Sequence, residues 1–213
     1  MTIRVLIVDD HAVMAEGLRS LIDAQHDLTV VDCVDNGREA LYRVQEHMPD
    51  VVVMDIAMPE LNGIDATQLI RERASGTQVV VLSMHANPEY VFRALRAGAR
   101  GYVLKKNAAT EVLAAIRAAH AGHRFLSREI ADHVIDDYLQ GGTGNPLEVI
   151  SSRERQVLQL LAEGKSTTNI AESLSLSPKT IETYRGRIMQ KLGMTDIPSL
   201  VKFAIQHGLT SID

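Results

Sequence analysis

Along the first 120 residues, short apolar runs alternate with longer stretches in which apolar positions return every three or four residues. The runs are "IRVLIVDD", "LTVVDCV", "DVVVMD", "QVVVLSM" and "GYVLKK", and each reads as a strand. The intervening stretches are "VMAEGLRSLIDA", "GREALYRVQEH", "IDATQLIRERA", "EYVFRALRAGA" and "ATEVLAAIRAAHAG". They have helical spacing, with Leu18, Leu21 and Ile22 on one face of the first. Five such units predict an α/β fold: a doubly wound, five-stranded parallel sheet with helices on both faces. The unbroken run in "VVVMDIAMPELNG" reads as a strand buried on both sides, ended by Asp55 and a Pro/Gly turn.

From Ser127 the spacing is helical through Gln140. "GGTGNP" at 141–146 then reads as a flexible linker. It is not a GxGxxG nucleotide loop, because the spacing differs and no strand precedes it. Beyond it every element is short and helical: "SRERQVLQLLAEG", "TTNIAESLSL", "SPKTIETYRGRIMQKLG" and "IPSLVKFAIQHG". No repeat occurs at a fixed period. The pattern therefore predicts a sheet domain over 1–122, a linker with a connecting helix over 123–147, and a small all-α domain over 148–213.

Composition narrows the class. The 213 residues are 46% hydrophobic, ample for real cores and unlike a disordered chain. No apolar run approaches the ~18 residues of a membrane span, and no basic-then-apolar leader is present. Cys33 is the only cysteine, so no internal disulfide can form, and a small buried or half-buried thiol in a reducing cytoplasm is expected. The net charge of −5 taken alone argues against a polyanion binder. The charge is uneven, however: residues 1–145 hold 14 Lys+Arg against 20 Asp+Glu, and residues 146–213 hold 8 against 7. Asymmetry of this kind is a hint of different work in the two parts.

In a doubly wound sheet, ligands gather at the carboxyl ends of the strands. Asp9 and Asp10 follow the first expected strand, Asp55 ends the third, Ser83 the fourth, and Lys105 follows the fifth. Any one of these acids could cap a helix. Jointly they place three carboxylates, a hydroxyl and an ammonium around one crevice. Clustered oxygen ligands select a hard cation, Mg²⁺ foremost. Such a site suits phosphoryl transfer onto a carboxylate, with Asp55 the nucleophile.

The motifs "LIVDDH", "VVVMDIAMPELNG", "VVVLSM" and "GYVLKK" resemble the flavodoxin-like receiver domain of bacterial two-component response regulators, over residues 3–120. By that resemblance Asp55 accepts a phosphoryl group from a sensor histidine kinase. Asp9, Asp10, Asp55 and the main-chain carbonyl of Ala57 then hold Mg²⁺, Ser83 and Lys105 contact the phosphoryl group, and Tyr102 is the aromatic switch. His85 and Ala57 lie where the family tunes the lifetime of the phosphate. His120 and His123, three apart, lack a third ligand for a metal site.

In the tail, Val157, Leu158, Leu160, Leu161, Ile170, Ala171, Leu174, Ile181, Ile188 and Leu192 recur at helical spacing. Ser177 reads as an N-cap and Pro178 as the first helical residue. Two helices around a tight turn, the second with a basic outer face, form a helix-turn-helix pattern. Within 178–192, Lys179, Arg185, Arg187 and Lys191 outnumber Glu182 by 4 to 1. Residues 148–207 resemble the LuxR-type DNA-binding domain, with Tyr184 where members commonly carry His and "TTN" where a Lys-Glu pair is frequent. The resemblance implies that Lys179, Thr180, Glu182, Thr183, Arg185, Arg187 and Lys191 lie against DNA, and that the helix from Ile197 to His207 supports pairing of two copies. The whole resembles the NarL/FixJ class of regulators. Implied partners are a sensor histidine kinase, double-stranded DNA and, on phosphorylation, a second copy, with RNA polymerase allowed and no membrane.

Two other readings compete. A phosphatase working through an aspartyl intermediate needs an acid/base near the nucleophile, but Ile56 and Ala57 follow Asp55, so slow self-dephosphorylation at most is expected. A ligand-sensing LuxR-type regulator needs an apolar pocket, for which 4% aromatic content and no Trp are poor material.

Overall fold

The computed structural model describes residues 2–139 and 146–210. Apart from Pro146, the glycine-rich stretch expected as a linker lies outside the described residues. The chain divides into two compact units, one built on a sheet and one wholly helical.

The first unit alternates β1 (Ile3–Val8), α1 (Ala12–Asp23), β2 (Leu28–Val34), α2 (Gly37–His47), β3 (Val51–Asp55), α3 (Gly63–Arg73), β4 (Gln78–Ser83), α4 (Pro88–Arg96), β5 (Gly101–Leu104) and α5 (Ala108–His120). It closes with β6 (Phe125–Leu126) and α6 (Arg128–Leu139). All pairings are parallel, in the order β2-β1-β3-β4-β5-β6. Period-2 alternation between two covered faces explains why the middles of the central strands are apolar. Val5, Ile7, Val51 and Val53 join Leu18 and Ile22 of α1 and Val112 and Ile116 of α5 in one cluster. Their neighbours Leu6, Val8, Val52 and Met54 are equally buried and face the other layer.

Among the described residues the sheet has six strands where the apolar runs predicted five. The extra strand is two residues long, too short to leave a periodic signal. It pairs Gly101 with Phe125 and Tyr102 with Leu126. Ser127, fully buried, secures it: its N–H donates to the Tyr102 carbonyl at 3.0 Å, its Oγ accepts from the Leu104 N–H at 3.2 Å, and its hydroxyl donates to Glu111. The segment after α5, expected as part of a linker, thus begins as a sheet edge.

The second unit contains α7 (Ser152–Ala162), α8 (Thr167–Ser173), α9 (Pro178–Leu192) and α10 (Ile197–Gln206). Each start has a side-chain cap. Ser151 and Glu154 form a reciprocal capping box on α7, Ser166 caps α8, Ser177 caps α9 ahead of Pro178, and Asp196 caps α10. α9 ends at Gly193, whose φ of 66° takes the left-handed stop that glycine adopts without strain. The apolar positions predicted to share faces converge: Val157, Leu158, Leu160, Ile170, Ala171, Leu174, Ile181 and Ile188 form one core with Leu200 and Phe203 of α10.

Removing the Ser127 hydroxyl leaves the buried Leu104 N–H without an acceptor. Ser127→Ala is expected to cost about 1–3 kcal/mol. Hydrogen exchange should show the Leu104 amide losing protection while amides of β1 and β3 keep theirs.

Candidate functional site

The winding direction changes between β1 and β3, and the crevice at their carboxyl ends is where such sheets bind ligands. Asp9 and Asp10 leave β1 there and Asp55 is the last residue of β3. Asp9 and Asp55 are buried, at 3% exposure each. Lys105, immediately after β5, reaches across to them: its Nζ lies 2.7 Å from Asp55 Oδ2 and 2.9 Å from Asp9 Oδ2. His11 closes the other side, with Nδ1 2.8 Å from Asp10 Oδ1 and 3.1 Å from Asp9 Oδ1. Asp9 Oδ2 meets the Lys105 ammonium and Asp10 Oδ1 the His11 ring, and beyond these neighbours neither buried atom has a hydrogen-bond partner. Ligand atoms of Asp9, Asp10, His11 and Asp55 all lie within 4.8 Å of one another, so the cluster could hold a metal ion. A surplus of acceptors over donors fits a divalent cation.

Burial pushes the Asp55 carboxyl from 3.8 up to about 6, against the pull of Lys105 and with further upward pressure from Asp9. Lys105 moves the other way from a simple buried amine: burial lowers it, but the bonds to Asp55 and Asp9 outweigh this and raise it. The pair is therefore an ammonium shared by two carboxylates.

The loop after Asp55 is closed by tight contacts. Asp55 Oδ1 accepts from the Ile56 N–H at 2.7 Å, and the Gly63 N–H donates to the Ile56 carbonyl at 2.9 Å. A Cβ on Gly63 would stand 1.8 Å from the Asp55 carbonyl oxygen, so only glycine lets α3 start this near the strand end. Asn62, wholly buried, caps α3 by accepting from the Ile64 and Asp65 N–H groups. Ala57 lies in this loop, two residues past Asp55.

Ser83 ends β4, buried, and its Oγ accepts from the His85 N–H at 3.0 Å. The His85 carbonyl in turn accepts from the Tyr102 hydroxyl at 2.8 Å. Tyr102 is fully buried, and burial raises its phenol further above its ordinary value. The His85 ring stacks on Tyr90, with centroids 4.4 Å apart, and burial lowers its pKa. His120 and His123 are exposed and belong to no such cluster; among the described residues, the Asp9–Asp10–His11–Asp55 group is the one set of three or more metal-ligating side chains. Cys33 is free and half-buried, with the Arg19 guanidinium on its sulfur.

In the helical unit, Lys179, Thr180, Thr183 and Arg187 of α9 line a recess together with Ser177 and Tyr184. The other basic residues of that helix are engaged. Arg185 pairs with Glu182, which also accepts from the Thr167 hydroxyl at 3.0 Å. Lys191 reaches back to Glu154 of α7, Nζ to Oε2 at 2.7 Å. Burial would raise Glu154, but the bond from Lys191 and the capping-box N–H outweigh it and lower its pKa. Of the residues expected along a DNA surface, Lys191 is thus tied into the helix packing.

The structure gathers the expected acids, Ser83, Lys105 and Tyr102 around one strand-end crevice. His11, Ser177, Tyr184 and Ser127 were not among the expected site residues. His11 follows the aspartate pair directly, and that adjacency was the available signal; Ser127 left none.

Residues 5–117 match the response regulator receiver domain family, and residues 148–204 match the bacterial regulatory proteins of the luxR family. The chain is 34% identical over 213 residues to the oxygen regulatory protein NreC of Staphylococcus carnosus, spanning 97% of this chain and 98% of that one. A LuxR-family two-component response regulator from Aurantimonas sp. SI85-9A1 has 35% identity and a TM-score of 0.63, over 65% of this chain and 99% of its own. The response regulator RcsB in complex with DNA has 26% identity and a TM-score of 0.60, over 95% of this chain and 98% of its own.

Two outcomes check the geometry. Gly63→Ala must displace the Asp55 carbonyl and is expected to cost about 1–3 kcal/mol or more. Gly17→Ala, on an exposed turn of α1 with nothing within 4 Å, should be neutral or stabilising, as urea titrations of the two would show. The second outcome is a titration. In metal-free protein the Asp55 carboxyl carbon should titrate near pH 6, and nearer neutrality in Lys105→Met. An acid raised from 3.8 to about 6 binds its proton better folded than unfolded, so its contribution to stability falls as pH rises through that window. A midpoint at the ordinary carboxylate value in a ¹³C NMR titration would contradict the arrangement.

Proposed function

This chain belongs to the response regulators that join a receiver domain to a LuxR-type DNA-binding domain, and from that premise we propose that phosphorylation of Asp55 governs its hold on DNA. It is a DNA-binding response regulator that controls transcription. The observation that carries the phosphorylation reading is Asp55 itself, a buried carboxylate 2.7 Å from Lys105 and crowded by two further acids.

A sensor histidine kinase presents its phosphohistidine, and an oxygen of Asp55 attacks the phosphorus. The P–N bond breaks, its electron pair leaves with the imidazole, and an acyl phosphate forms on Asp55. Asp9, Asp10 and Asp55, with the main-chain carbonyl of Ala57, would hold Mg²⁺, which when bound offsets charge on the phosphoryl oxygens. Lys105 keeps its ammonium beside the new group, and the Ser83 hydroxyl donates to it. Because Ser83 Oγ accepts from the His85 N–H and the His85 carbonyl holds Tyr102, movement of Ser83 pulls on the peptide that fixes the aromatic ring. That is a local charge event acting on a two-position element. The response is dimerisation, supported by α10, and DNA binding through α9 in the major groove. Among the described residues no helix is long and apolar enough to cross a membrane, and the reading is of a cytoplasmic regulator.

Acetyl phosphate with Mg²⁺ should add one phosphoryl group to the parent. Asp55→Asn, nearly isosteric, should fold and take none. Undiminished labelling of that variant would sink the assignment, and rapid turnover of acetyl phosphate would favour a phosphatase.

The basic residues of α9 should separate by role. Lys179→Gln and Arg187→Gln are expected to weaken DNA binding, and loss of a phosphate contact should flatten the log–log salt dependence by about one unit. Lys191→Gln should instead lower the unfolding temperature of the helical unit, because the buried Glu154 loses its ammonium partner. That loss should fade below the ordinary carboxylate range, where protonated Glu154 no longer needs the lysine. Equal DNA defects in all three, with unchanged stability, would refute the division.

A further inference from the structure

α9 carries a glycine that its own helix does not require. Gly186 stands in the interior of α9, where glycine is the poorest helix former after proline. Its φ is not positive, so no left-handed turn calls for it, unlike Gly193 at the helix end. A Cβ added at Gly186 would meet nothing within 4 Å, so no neighbour in the fold excludes a side chain either. Gly17 of α1 shares both properties. The difference between the two lies in what surrounds them.

Ile181 and Ile188 mark the buried side of α9. At about 100° per residue, Gly186 lies about 140° from the first and about 160° from the second, turned away from the core. Lys179, Thr183, Gly186 and Gln190 recur at intervals of four, three and four, and form one exposed stripe along that outer side. On one flank of the stripe, Tyr184 and Arg187 line the recess together with Lys179 and Thr183. On the other, Glu182 is held to Arg185 and to the Thr167 hydroxyl of α8. The middle of the stripe is bare backbone between hydroxyl, amide and cationic side chains.

We propose that Gly186 is the point at which the backbone of α9 meets base edges, and that its missing side chain sets how deep the helix sits in the major groove. The inference rests on the reading that α9 enters that groove. A helix with its side chains is about 10–12 Å across and the groove about 12 Å wide, so a side chain at the centre of the outer stripe props the helix off the groove floor. With glycine there the backbone closes on the bases and carries the short Thr183 and Gln190 side chains to their edges. Lys179 and Arg187 are long enough to reach phosphates from a shallower seat. Depth therefore governs sequence preference more than total hold on DNA.

The test uses full-length protein treated with acetyl phosphate and two labelled duplexes. One is selected by the parent from a random-sequence pool; the other is a scrambled duplex of the same composition. Gly186→Ala and Gly186→Leu should both raise the unfolding temperature of the helical unit, because each is a better helix former. Affinity for the selected duplex should nonetheless fall about fivefold in the first and about a hundredfold in the second, with the scrambled duplex held within about threefold. Gly17→Ala should leave both affinities unchanged. If the Gly186 variants bind both duplexes like the parent while Arg187→Gln binds less well, the role of the glycine is overturned and the reading of α9 stands. Equal losses on both duplexes, or a lowered unfolding temperature, overturn it as well. If the parent selects no sequence, or if Lys179→Gln and Arg187→Gln also bind like the parent, α9 is not the reader and this inference falls with it.

Discussion

A lysine ammonium held between two buried carboxylates is the interaction on which the rest of the sheet unit depends. Asp55 and Asp9 stand at the ends of strands that are apolar over the four residues before them, and Lys105 lies within 2.9 Å of both. Without a cation, charges this close and this dry repel, and burial already moves Asp55 to about 6. One ammonium does not neutralise three acids. The crevice is left with more buried carboxylate oxygens than donors, which is why it suits a metal ion and a transferred phosphoryl group together. The apolar strands beneath supply a floor that cannot relax to solvate the charge.

The strand that ends at this lysine carries more than the lysine. β5 holds Tyr102, whose hydroxyl reaches the His85 carbonyl and whose own carbonyl accepts from Ser127. Leu104, two residues on, donates to Ser127 Oγ. The short sixth strand and the start of α6 are thus hydrogen-bonded to the same four-residue strand that presents Lys105. A shift in the crevice acts on main-chain groups with named partners on two sides, the β4–α4 turn and the β6–α6 turn.

The helical unit divides its charges in a comparable way. Glu154 completes a capping box and pairs with Lys191, so the contact between α7 and α9 is partly ionic. Glu182 ties α8 to α9 and engages Arg185. Lys179, Thr183 and Arg187 are left on the recess of α9. Ion pairs within α9 and to α7 thus occupy Arg185 and Lys191.

Much of this was legible in the residues alone. Apolar runs of five or six residues between helical stretches determine a parallel sheet, because only a strand covered on both faces can use them. Asp9, Asp10, Asp55, Ser83 and Lys105 each fall at a strand end by position in the chain, and a doubly wound sheet sends all those ends to one side. Ser177 before Pro178 sets the start of α9 by local hydrogen bonding. Contacts between residues distant in sequence were decided only by the tertiary structure. "FL" is too short for periodicity, so β6 exists because β5 offers an open edge and Ser127 finds Leu104 and Glu111. Lys191 looks like any basic residue of α9 until the fold brings Glu154, 37 residues earlier, to its ammonium. His11 shows the division within one site: its adjacency to Asp9 and Asp10 is in the sequence, but its distance from Asp55 is a property of two strands laid side by side.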